Sequence, residues 1–273
     1  MIAALDCKAQ VLTWIKRQLA WKYCWLDAHK LQVYSCPRSW IHHNTGRNSA
    51  DHASTAANRK NMEPDNTFSV AIVKPFGPSI VKARLPQSLL DQLNEYTDTI
   101  ITDEEKLKAL DHGPYLAGNV NQEILLEEEF MARIKWTEFI GTICNQWLKK
   151  TSGKELKGLR IINSWIVRQF QGEYNPVHHH AGHISGVAYL KVPKHMGNTT
   201  QQGKYSNSNG NLVFISGSAN LFSNSAFEIQ PELGDFYMFP NYLDHAVYPF
   251  SGTDEERRSV SFNAILDPEA STY

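Results

Sequence analysis

From Thr67 onward, the hydrophobic and polar positions fall into readable periods. Phe68 to Val73 has the character of a strand, and Lys74-Pro75-Phe76-Gly77-Pro78 interrupts it with turn-forming residues. In SLLDQLNEYTDTI, the residues Leu89, Leu90, Leu93 and Tyr96 recur at helical spacing. A longer helix is predicted from Asn121 to Lys150, with Ile124, Leu125, Phe130, Ile134, Phe139, Ile140, Ile143 and Trp147 along one stripe. Such helices are expected to buttress a sheet rather than carry chemistry. Beyond Ser152-Gly153 the pattern changes to short apolar runs separated by Gly, Asn, Ser and Pro. Strands are predicted at 159–170, 183–192, 211–215, 226–230, 235–239, 245–248 and 259–266. Evenly spaced strands without intervening helices imply a closed or sandwiched all-β core. The loop from Lys194 to Gly210 is long for a structural connection and is expected to form a rim or lid.

The first part of the chain lacks this regularity. Ala9 to Leu31 has helical potential, but Val33 to Asn61 is polar and shows no clear period. The expected organisation is therefore an N-terminal extension at 1–61 whose order the pattern does not decide, a helical support region with a leading strand at 62–151, and a β core at 152–273. Cys24, Cys36, His42 and His43 lack the paired spacings of a structural zinc site.

Composition narrows the function classes. A formal charge of -1 over 273 residues gives no basic excess to draw nucleic acid or an anionic membrane. No apolar run approaches the roughly 20 residues that span a bilayer, and the start reads as no secretory signal. The four cysteines are too few and too irregular for a disulfide scaffold, so a cytoplasmic, reducing setting is the expectation.

The candidate chemistry lies in GEYNPVHHHAGHISGVAYLKVP, residues 172–193, and in GDFYMFPNYLDHAVYP, residues 234–249. In an extended chain alternate side chains share a face, so His178 and His180 point one way and His179 the other. Two imidazoles make half of a metal site. His245 is the candidate third ligand because it follows the apolar run Phe236 to Phe239 and the Pro240-Asn241 turn. Asp244 has the opposite parity. His43, His112, His183 and His195 read as structural or incidental.

Five ordered pieces, GEYNPVHHH, SGVAYLKVP, GNLVF, PELGDFYMFPNYLDHAVYP and EERRSVSFN, give the chain a resemblance to a known family. Between about Arg160 and Asn263 it resembles the Fe(II)- and 2-oxoglutarate-dependent oxygenases, in particular those common in phage and marine bacterial genomes, with a prolyl-hydroxylase-like core. The resemblance implies a mainly β fold with supporting helices around a double-stranded β-helix, the cupin-like jelly roll. It implies Fe(II) held by His178, His180 and His245 as the catalytic metal site, with 2-oxoglutarate and O2 as co-substrates. One departure is plain: His180 stands where relatives place a carboxylate, so the usual two-histidine, one-carboxylate triad becomes a three-histidine set. Three neutral imidazoles leave the site one negative charge short, which favours an anionic chelating co-substrate.

The family's Arg-x-Ser element falls on Arg257 and Ser259, which strand parity places on one face with Ser261 and Asn263. Arg257 is thereby implied as the clamp on the far carboxylate of 2-oxoglutarate, assisted by Ser259. Tyr189 matches a tyrosine that bonds the same carboxylate. Asn163, Trp165 and Gln169 are expected to face the barrel. The implied reaction is hydroxylation of a peptide residue or a small metabolite, with succinate and CO2 released. Two readings from other classes stand beside it: a 2-oxoglutarate-independent, cupin-like three-histidine metalloenzyme, and a non-catalytic jelly-roll module of phage structural or carbohydrate-binding type.

Overall fold

The computed structural model describes residues 68–271 except 74, 201 and 202. The expected extension at 1–61 and its cysteines lie outside the described residues. A short strand, β1 (Ala71–Val73), leads into β2 (Ile80–Arg84). Two helices follow, α1 (Gln87–Ile100) and α2 (Glu104–Ala109), and then a 3₁₀ turn at Gly113–Tyr115. Next come β3 (Gln122–Leu125), α3 (Glu128–Arg133) and α4 (Trp136–Ser152). The remaining strands are β4 (Leu159–Gln169), β5 (Asn175–His178), β6 (Ile184–Lys191), β7 (Leu212–Ile215), β8 (Ala226–Ile229), β9 (Asp235–Pro240), β10 (Asp244–Val247) and β11 (Arg257–Leu266). A final turn of helix, α5, spans Pro268–Ser271.

The strands make two antiparallel sheets, a seven-stranded one in the order β1-β2-β9-β6-β11-β4-β3 and a four-stranded one in the order β5-β10-β7-β8. This is the double-stranded β-helix that the family resemblance implies, and a sandwiched core of the kind the run of short strands predicts. The larger sheet is buried on both faces, and the alternation along each strand sorts its side chains. Ala188, Leu190, Phe236, Met238, Val260 and Phe262 join the core under α1 and α4. Tyr189, Tyr237 and Phe239 face the other way and pack with Leu212, Phe214 and Ile229 of the smaller sheet. Phe214 and Phe239 meet across that gap edge to face, their ring centres 4.8 Å apart.

Gly186 shows how tight the helix-side core is. A β-carbon there would lie 2.4 Å from Phe262 Cε1 and 2.7 Å from the Tyr237 carbonyl oxygen. Only hydrogen fits at this position, and the Phe262 ring it admits stacks against Phe236 and meets Trp136 edge to face.

The helix expected at 121–150 is instead a strand and two helices. Residues 122–125 pair with β4 along the sheet edge, so Ile124 is buried by sheet contacts and not by a helical stripe. Lys135 then adopts a left-handed conformation, φ 57°, which separates α3 from α4. From Trp136 the helical stripe holds: Trp136, Phe139, Ile140, Ile143, Cys144 and Trp147 are all buried. Strands β2, β3 and β5 were not predicted. None of the described helices is long and apolar enough to cross a membrane.

Candidate metal and co-substrate site

The smaller sheet sets two of the three histidines side by side. His178 of β5 and His245 of β10 are direct cross-strand partners, and their rings lie 4.3 Å apart, centre to centre. His180 follows the end of β5 and is held by the turn between β9 and β10. Its backbone N–H donates to the Asn241 carbonyl at 3.0 Å, and Asn241 Nδ2 donates to the His180 carbonyl at 3.0 Å. His180 Nε2 thus comes within 3.1 Å of His245 Nε2. One ring nitrogen from each of the three histidines lies within 4.8 Å of the others. Among the described residues, no other set of three or more His, Cys, Asp or Glu side chains converges in this way.

The opposite ring nitrogens fix the imidazoles. His178 Nδ1 donates to the Pro176 carbonyl at 2.7 Å, and His245 Nδ1 donates to the Leu243 carbonyl at 2.9 Å. Both Nε2 atoms are then bare acceptors, the form in which imidazole binds a metal. Burial holds all three rings neutral. It pushes His178 below its ordinary value, takes His180 down to about 3 with help from His178, and drives His245 well down with help from both neighbours. A neutral, pre-oriented donor set of this kind fits a divalent cation. His179 points outward to Asp244, 3.4 Å away, as parity requires. His183 accepts from the Leu266 N–H through Nδ1 and is structural.

The histidines sit at one end of a cavity of about 330 Å3 between the sheets. Arg257, Ser259, Ser261 and Asn263 line it from β11, Asn163, Trp165, Val167 and Gln169 from β4, and Tyr189 from β6. Every barrel-facing position predicted by parity is therefore in the wall. Arg257 is 3 % exposed and donates through one terminal nitrogen to Gln169 Oε1 at 2.6 Å. Its guanidinium carbon lies 5.1 Å from the centre of the Tyr189 ring. Arg257 Nε and Tyr189 Oη are both buried without a hydrogen-bond partner. Burial raises the Tyr189 phenol above its ordinary value although the Arg257 charge opposes this, so the hydroxyl keeps its proton. Two orphaned donors beside a buried cation fit a carboxylate.

Two expectations need correction. No described residue of the Lys194–Gly210 loop lines the cavity; residues 115–117 line it instead. That loop is tied to the far turn by Met196, whose carbonyl accepts from the Ser251 N–H at 3.3 Å, and by Lys194, whose N–H donates to Glu255 at 2.7 Å. His112, read as structural, lines the cavity together with Glu123. Neither was legible in the sequence, because β3 lay hidden inside an apparent helix.

Residues 163–263 match the family described as "Putative 2OG-Fe(II) oxygenase". Among solved structures, the viral collagen prolyl hydroxylase of Paramecium Bursaria Chlorella virus-1, in complex with 2OG, is 13 % identical, covering 67 % of this chain and 94 % of that one with a TM-score of 0.41. The Pseudomonas putida prolyl-4-hydroxylase is 14 % identical, covering 68 % and 91 %, with a TM-score of 0.39. HygX from Streptomyces hygroscopicus, with nickel and 2-oxoglutarate bound, is 8 % identical, covering 69 % and 82 %, with a TM-score of 0.44. No curated protein matches the chain in sequence.

Proposed function

We propose that residues 163–263, which match the family described as putative 2OG-Fe(II) oxygenase, form the core of an Fe(II)- and 2-oxoglutarate-dependent oxygenase, and that this oxidoreductase hydroxylates an organic substrate held in the cavity, a peptide residue or a small metabolite, releasing succinate and CO2. The observation that carries the reading is the pairing of two poles in one cavity: three converging neutral imidazoles at one, and a buried arginine with an orphaned N–H beside an orphaned tyrosine hydroxyl at the other.

His178, His180 and His245 would hold the iron, which supplies the oxidative chemistry when bound. The protein's own work is coordination, orientation and exclusion of water. Arg257 Nε and Tyr189 Oη would donate to the far carboxylate of 2-oxoglutarate, with Ser259 beside Tyr189 in the sheet register. Leu212, Phe239 and Val247 give the cavity an apolar wall. With no carboxylate among the three candidate ligands, the site keeps the full charge of a divalent ion for an anionic co-substrate. A three-histidine enzyme that does not use 2-oxoglutarate has no need of a buried, half-satisfied cation in that wall, and Arg257 argues against it.

Anaerobic titration with Fe(II) and then 2-oxoglutarate, followed by a succinate assay on admitting oxygen, tests the proposal. Saturable binding of both and succinate formation are expected. Iron binding without 2-oxoglutarate binding would overturn it.

A further inference from the structure

Among the described residues, four buried side-chain atoms lack a hydrogen-bond partner, and all four belong to residues lining the one cavity. Two of them, Arg257 Nε and Tyr189 Oη, are accounted for by 2-oxoglutarate. The other two, Glu123 Oε1 and Asn163 Oδ1, are acceptors, and they lie on the same face of the sheet toward its β4–β3 edge.

Glu123 sits on β3 directly across from Val167 of β4, in the cross-strand row that continues to Ser259 and Tyr189. It is 3 % exposed and takes part in no ion pair among the described residues. Its nearest acidic neighbour, Asp111, adds repulsion, and together with burial pushes the Glu123 carboxyl up to about 7. Gly118 packs closely behind Oε1: a β-carbon there would stand 2.8 Å from that oxygen, 2.9 Å from Asn175 Nδ2 and 3.1 Å from Val120 Cγ2, so only glycine leaves the carboxylate room. Four residues along β4 from Val167, toward the histidines, Asn163 Nδ2 donates to His112 Nε2 at 3.2 Å, and its Oδ1 is buried without a partner. Burial lowers the His112 imidazole from its ordinary value, so it is a neutral acceptor and no counter-ion for Glu123. The Trp165 ring spans the interval to the metal pole, 5.9 Å from His112 on one side and 5.8 Å from His180 on the other.

A buried carboxylate with no partner is costly, and an apolar residue opposite Val167 would avoid the cost. A ligand that carries a cation with several N–H donors would remove it. We propose that Glu123 receives the protonated amino group of the primary substrate, which then lies along Trp165, past Asn163, toward the histidines. The inference rests on the oxygenase reading of the same cavity and names its substrate class: an amine or an amino-bearing metabolite or residue.

The test uses the full-length protein loaded with Fe(II) and 2-oxoglutarate under anaerobic conditions at pH 7.5, titrated calorimetrically with n-butylammonium, 1-butanol and butyrate as probes. The ammonium ion is expected to bind at least ten-fold more tightly than the alcohol, and butyrate not at all at this wall. Glu123→Gln, which keeps shape but removes charge, should erase the preference for the ammonium ion while changing 2-oxoglutarate affinity less than two-fold. Equal binding of ammonium and alcohol by the wild-type protein would overturn the proposal without need of the variant. So would a preference that survives Glu123→Gln. Failure of 2-oxoglutarate to bind the wild-type protein is a separate result and sinks the oxygenase reading instead.

Discussion

Arg257 and Arg258 are adjacent in β11, are both almost fully buried, and send their guanidinium groups to opposite faces of the sheet. Arg257 enters the cavity, where among the described residues Gln169 accepts from it and its Nε is buried without a partner. Arg258 turns under α1, where Asp98 lies at 2.7 Å, Asn94 Oδ1 at 3.1 Å and Glu256 at 2.7 Å. One is equipped for a ligand and the other is satisfied within the protein.

The two should separate cleanly on substitution. Arg257→Ala is expected to cost roughly 2 to 5 kcal/mol in 2-oxoglutarate binding, a loss of about 30-fold or more, with Fe(II) affinity nearly unchanged. Arg258→Met leaves Glu256 to Arg168 and the half-exposed Asp98 to Lys191, and should cost roughly 1 to 3 kcal/mol of folding stability in denaturant titration. Equal effects of the two changes on 2-oxoglutarate binding would contradict the assignment.

His180→Asp restores the common pair of histidines with one carboxylate. Fe(II) binding and succinate formation should persist. The added negative charge lowers the charge of the loaded site, so 2-oxoglutarate affinity should fall while iron affinity holds or rises. Loss of iron from the variant would mean that the reach of the imidazole, set by the Asn241 contacts, is indispensable.

Glu123 gives the fold a defined pH response. Its carboxyl is raised from an ordinary 4.5 to about 7, so the folded protein binds more protons than the unfolded chain between those values. The stability associated with the neutral carboxyl is fully present below about 4.5 and is lost as pH rises through about 7. Glu123→Gln removes this dependence while leaving Asp111 and His112 in place. The variant should match the wild type near pH 5 and exceed it by about 1 to 3 kcal/mol near pH 8. A difference that does not change with pH would rule out a raised carboxyl.

Gly186→Ala tests the packing behind the site. The added methyl has backbone on one side and the Phe262 ring on the other, so a loss of about 1 to 3 kcal/mol is expected. Because Phe262 faces the helices, the change should reach stability before it reaches Fe(II) affinity, as thermal melting beside metal titration would reveal.

Much of this architecture was legible because strand parity is a local rule. Alternation along 178–180 separated His179 from its neighbours, and alternation along 257–263 placed Arg257, Ser259, Ser261 and Asn263 in the cavity wall and Arg258, Val260 and Phe262 behind it. The helical stripe was readable from Phe139 to Trp147 for the same reason. It misled at 122–125, where a four-residue edge strand is too short to show a period of its own against the helices that follow.

The sequence by itself determined which side chains share a face, since that depends only on the repeat of the local backbone. Tertiary structure decided which faces meet. Pairing of β5 with β10 put His178 beside His245, and the turn at Asn241 carried His180 to them across 65 residues of chain. Pairing of β3 with β4 brought Glu123 into the same cavity, although nothing near it in the chain marks it as a site residue. Long-range register is set by the packing of whole sheets, and no local period encodes it.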